Sequence, residues 1–140
     1  MRNTEDSLGY LLIQISKQRR TKSNALLVEH GIHSGQDLLL YHLNHDDGQT
    51  VSTLADKMNV QPATISNMID RMVAVGLVEK IKGTIDKRTA RVYLTDKGKQ
   101  AFANVADVWN TIEDKSTKGL SVIEKFMLKR LLNTVSKNLS

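Results

Sequence analysis

At 140 residues, with 40% apolar and 25% charged side chains, the chain is sized for one folded domain with a core of its own. It has no cysteine, which excludes disulfides, thiolate metal sites and Cys nucleophiles and is compatible with a reducing cytoplasm. A net charge of +5 and a pI near 9.5 favour a polyanionic partner. No apolar run approaches the roughly 18 residues of a membrane-spanning helix, and the polar start "MRNTEDSLGY" does not read as a signal peptide. A cytoplasmic protein without membrane contact is expected.

Thr4 to about His30 reads as one long helix. Leu8, Leu11, Leu12 and Ile15 recur at helical spacing, whereas the later "SKQRRTKSN" is polar. A helix apolar in one half only tends to leave its own domain or to cover a partner. Gly31 ends it as a C-cap glycine would. Ser34 opens a second helix, with Asp37 three residues on in a capping-box-like place. Its "DLLLYHLN" is apolar nearly all round, which puts it at the centre of the core. "HDDGQT" breaks the chain, with Gly48 in the turn.

Thr50 to Ser52 reads as a short strand. Ser52 is the expected N-cap of a short third helix, "TLADKM", and Asn59 suits a left-handed turn. Pro62 opens a fourth helix at its first position; it runs to about Val75, and Gly76 stops it. Leu77–Lys82 and Ala90–Thr95 read as strands, joined by "GTIDKRT". Thr95 caps a long fifth helix that runs to about Lys118. Gly119 breaks that helix, and Ser121 with Glu124 forms a capping box for the last one, Val122 to about Asn138. Ile123, Met127, Leu131 and Val135 give the last helix a broad apolar face.

The order helix, turn, helix, strand, basic tip, strand is that of a winged helix-turn-helix. The fold class is therefore mainly α with a small β-hairpin. At 100° per residue, Ile65, Met68, Ile69, Met72 and Val73 fall on one side of the fourth helix. Ala63, Thr64, Ser66, Asn67, Asp70, Arg71 and Ala74 fall on the other, after Pro62. A face of small and hydrogen-bonding side chains fits a major groove, where Asn67 can pair with adenine and Thr64 and Ser66 can reach bases or phosphates. Arg71, one turn later, suits a phosphate.

The hairpin concentrates the positive charge. Between Glu79 and Lys99 there are seven Lys or Arg against three Asp or Glu. Arg88 suits a minor groove, with Asp86 orienting its guanidinium by a charge-assisted pair. Lys82, Lys87 and Arg91 would serve the phosphates. The plainer alternative is a solvated hairpin with an ordinary surface ion pair.

These stretches, "VSTLADKMNVQPATISNMIDRMVAVGLVEK" and "DKRTARVYLTDKG", resemble the MarR/SlyA family of bacterial transcription regulators. Asp86-x-Arg88 followed by Val92-x-Leu94-Thr95-x-x-Gly98 is the most specific part. The resemblance covers nearly the whole chain as a single MarR-like domain, residues 1–140. It implies a DNA-binding lobe over about 34–95 and dimerisation helices over about 4–30 and 96–138. It implies a homodimer, in which Leu8, Leu11, Leu12 and Ile15 of the N-terminal helix and Ile123, Met127, Leu131 and Val135 of the last find partners. It implies double-stranded DNA with a pseudo-palindromic operator, read by recognition helices about 34 Å apart. It also implies a small effector, aromatic or anionic, between the dimer base and the DNA-binding lobe. Without Cys the chain departs from the peroxide-sensing branch. Without His in the fifth helix it departs from the zinc-sensing one.

Tyr10, Tyr41 and Trp109, with His42, are the candidates for lining an effector pocket. Each equally fits a core or interface filler. His30 with His33, and His42 with His45, are spaced three apart, but a metal site needs a third converging ligand, so no metal and no cofactor is expected. No glycine-rich phosphate loop, catalytic triad or buried carboxylate pair is present, so no catalytic residue is assigned and no enzyme is expected. A winged helix serving only as a protein-interaction module remains the alternative. It would show exposed apolar residues where this chain shows Thr64, Ser66, Asn67 and Arg71.

Overall fold

Local caps decide where the elements of this chain begin, and tertiary partners correct two of them. The structure, a computed structural model, describes residues 3–83 and 89–140. The Ser7 hydroxyl accepts the Tyr10 N–H and starts α1, Leu8–Leu27. Single 3-10 turns flank it at Thr4–Asp6 and Val28–His30, so the expected unbroken helix is divided in three. Gly31, left-handed at φ 72°, ends the run.

Helix α2, Gln36–His45, starts two residues later than Ser34 suggested, with Gly35 as an N-cap that offers no side chain. Asp37 does not cap it. The carboxylate is 2% exposed and turned inward, with Arg20 Nη1 3.4 Å from both oxygens and Trp109 Nε1 3.1 Å from Oδ2. A buried carboxylate must have such donors, and here they come from α1 and from the fifth helix. Strand β1, Gln49–Thr50, leads straight into α3, Val51–Met58. Thr50 caps α3 by accepting the Thr53 N–H, in the place expected of Ser52. The reason is backbone conformation: Thr50 is still extended, whereas Ser52 is already inside the helix.

Asn59, left-handed at φ 53°, turns the chain into α4, Pro62–Ala74, with Pro62 in its first turn. Strands β2, Val78–Lys82, and β3, Ala90–Leu94, follow, then α5, Asp96–Ser116, and α6, Val122–Leu139. Thr95 caps α5, and Ser121 with Glu124 makes both bonds of the capping box on α6. The sheet is antiparallel in the order β1-β3-β2, with Gln49 opposite Val92 and Val78 opposite Leu94.

The core lies between α2, α3, α4, the sheet and one face of α5. Leu39, Leu40, Leu43, Leu54, Ile65, Ile69, Met72, Val92 and Val105 have no exposed surface at all. Each such side chain is worth about 1.5–3 kcal/mol of burial. Ala55 of α3 is buried, and α3 packs on α4; a side chain of one methyl suits such a close crossing. The two ends of the chain behave differently. Helix α6 has no buried residue, and α1 buries only Ser23 and Leu27.

Candidate nucleic-acid interface

The fourth helix is anchored by one side and offers the other to solvent. Ile65, Ile69 and Met72 are fully buried and Met68 half-buried. Pro62, Ala63, Thr64, Asn67 and Arg71 are exposed, and Ser66 is half-buried at the rim. Val73, expected on the inner side, is 40% exposed. Eight residues at 100° each place it about 80° round from Ile65, at the edge of the stripe.

A second element shares this surface. The start of α2 lies beside α4, and a cleft of about 310 Å³ between them is lined by His33, Ser34, Gln36, Thr64, Asn67 and Arg71. Met68 passes so close to Gly35 that a Cβ there would stand 2.8 Å from its terminal methyl. No side chain caps α2. Ser34 and Arg71 both line the cleft at this uncapped helix start, an arrangement suited to an anion. His33 and Ser34 were not singled out in the sequence because the residues they share this cleft with are some 30 positions away, and no local pattern marks them.

The hairpin sits on the same lobe. Lys82 closes β2 opposite Ala90 and is exposed. Arg91 is exposed too, yet its Nη1 donates to the Gly48 carbonyl at 2.8 Å, tying β3 to the turn before β1. Lys80 Nζ lies 3.0 Å from Asp70 Oδ1, which links β2 to α4 and offsets the one carboxylate on the outer face. Both ends are exposed, so this pair is worth no more than about 1 kcal/mol. Asp86, Lys87 and Arg88 lie outside the described residues.

The MarR family model matches residues 32–90, from just before α2 to the start of β3. Over these residues the chain is similar to the MarR family. It is similar to the transcriptional repressor IacR of Pseudomonas putida, 25% identical over 135 residues that span 96% of this chain and 81% of IacR. A mutant MarR from E. coli complexed with operator DNA has a TM-score of 0.83 and 24% identity, over 96% of this chain and 99% of that one. BpsR of Bordetella bronchiseptica, whose DNA binding is regulated by 6-hydroxynicotinic acid, has a TM-score of 0.84 and 18% identity, over 97% of each chain. At these identities the two structures speak for the fold.

In this chain the two outer helices present apolar surface. Leu8 is 54%, Leu11 53% and Ile15 39% exposed on α1, with Leu12 half-buried. On α6, Ile123 is 76%, Met127 39% and Leu131 52% exposed, with Val135 half-buried.

The residues expected to line an effector pocket are divided. A groove of about 540 Å³ is lined by Arg19, Arg20, Asp37, Trp109, Glu113 and Lys129 among others. Trp109 borders it; Tyr10, Tyr41 and His42 do not. Tyr41 is one turn further along α2 than Asp37, its ring 5.5 Å from that of Trp109 and stacked 6.4 Å from His45. His42 is half-buried beside it, and burial, then the charge of Lys57 and of His45, holds its imidazole below the ordinary 6.5. Tyr10 is exposed in the first turn of α1.

Proposed function

We propose that this MarR-family protein is a homodimeric, sequence-specific DNA-binding regulator of transcription in the cytoplasm, a repressor that a small aromatic anion releases from its operator. The observation that carries this reading is the outer face of α4. Thr64, Ser66, Asn67 and Arg71 stand towards solvent with no large apolar side chain among them. Asn67 matches the paired donor and acceptor of adenine in a major groove, and Thr64 and Ser66 reach bases or phosphates. Arg71 and the uncapped start of α2 take one phosphate, and Lys82 and Arg91 take others across the hairpin.

Exposed apolar stripes on α1 and α6 need a partner, and a second copy supplies it. Light scattering should give about twice the 15.7 kDa of the chain; a monomer at micromolar concentration would remove the paired recognition helices. Release follows from the groove. A carboxylate entering beside Trp109 competes with Asp37 for Arg20, and Asp37 sits in the first turn of α2, whose start rests against α4.

The test is operator binding followed by mobility shift against salt. Asn67→Ala should weaken binding to the selected site by about 1–3 kcal/mol and relax its sequence preference. Wild-type affinity should fall steeply with added salt, as counterion release requires. Equal binding by variant and wild type would take α4 out of the groove.

A further inference from the structure

A second groove of about 240 Å³ adjoins the first, under Arg19, Lys22 and Lys115 and between Ile112 and Ile15, the end of the α1 stripe assigned above to the partner copy, so that it lies at the rim of the proposed dimer seam. Arg19 and Ile112 line both, so the two form one trough along α1 and α5. Its charges are unbalanced. Arg19, Arg20, Lys22, Lys115 and Lys129 face it against Asp37 and Glu113. Both carboxylates are already engaged: Asp37 lies 3.4 Å from Arg20 and Glu113 3.7 Å from Arg19. Among the described residues, Lys22, Lys115 and Lys129 make no ion pair. The smaller groove holds three cations and no acid.

A monocarboxylate bound beside Trp109 would satisfy one of these charges and leave the smaller groove with its cations facing one another. Like charges gathered in a concave site focus a field that favours a multiply charged anion. We propose that the effector is a phosphate monoester of a planar ring. The ring lies against Trp109 in the larger groove, and the phosphate reaches Arg19, Lys22 and Lys115 in the smaller one. Phosphate offers three acceptor oxygens to this set, where a carboxylate offers two. This inference rests on the reading of the larger groove as the effector site. Lys115 also lies in the last turn of α5, where a cation offsets the helix dipole. That role would move stability and leave anion preference untouched.

The test compares benzoate with phenyl phosphate by calorimetry at about pH 7.5, where the ester carries close to two charges. Both are also titrated into the protein–operator complex. Phenyl phosphate should bind the full-length dimer about 10-fold tighter than benzoate, or more, and should release the operator at correspondingly lower concentration. The K22Q/K115Q double variant should lose that preference, keep its benzoate affinity and melt within a few degrees of wild type. Benzoate binding as tightly as phenyl phosphate, or a preference that survives the double substitution, would overturn the proposal and leave the effector reading in place. If neither compound binds while operator affinity is intact, both fall.

Discussion

Gly98→Ala is expected to destabilise the protein by about 3 kcal/mol or more. In an ordinary helix interior the same change stabilises by roughly 0.5–1 kcal/mol, so even the sign of the result is informative. Gly98 lies in the first turn of α5, its N–H donating to Thr95 Oγ1 at 3.0 Å. Its bare Cα packs on the Leu77 carbonyl. A Cβ would fall inside the envelope of that oxygen, with the Leu77 carbonyl carbon 3.1 Å and a Leu94 methyl 3.2 Å away. Backbone cannot rotate aside as a side chain can. The same carbonyl accepts the Thr95 N–H at 3.2 Å and its hydroxyl at 3.1 Å. Moving it therefore loosens the cap of α5 and the seat of the hairpin together. Urea denaturation of the variant is the check. A loss below about 1 kcal/mol would mean that the chain around Leu77 yields without cost.

The second large effect is expected from Arg20→Met, at about 3 kcal/mol. Methionine keeps much of the stem and removes the cation. Asp37, 2% exposed, would then face the interior with only the Trp109 indole N–H as donor. A lone buried carboxylate is far costlier than the pair. Because Arg20 is itself 40% exposed, the pair's own attraction is partly screened. The cost arises instead from the stranded acid. Asp37→Asn in the Arg20→Met background should therefore restore part of the loss, since the amide keeps an acceptor for the indole and carries no charge. A denaturant midpoint for Arg20→Met equal to that of wild type would show that water already reaches Asp37.

What could be read from the chain alone follows the range of the forces. Pro62, Asn59, Thr95 and the Ser121–Glu124 pair act on backbone within three residues, and each is found where sequence placed it. The stripe of Ile65, Ile69 and Met72 was legible for the same reason, since one helix face answers to one period. Asp37 was misread as a cap because spacing cannot reveal donors 17 and 72 positions away. Thr50 and Ser52 both carry a cap hydroxyl. Pairing of Thr50 with Arg91 across the sheet keeps Thr50 extended and so chooses between them. The exposed polar side of α4 was legible, whereas the cleft that His33 and Ser34 share with it was not, because it forms only where α2 begins against Met68. The basic trough was hidden for the same reason: Lys22, Lys115 and Lys129 are unremarkable in sequence and meet only when α1, α5 and α6 are assembled.

The most direct measurement is hydroxyl-radical footprinting on an operator selected from random DNA. Two copies of α4 read by one dimer should protect two half-sites centred about 34 Å, one helical turn, apart on the same face of the duplex. A single unpaired footprint, or none at an ionic strength where other basic proteins bind, would contradict the account.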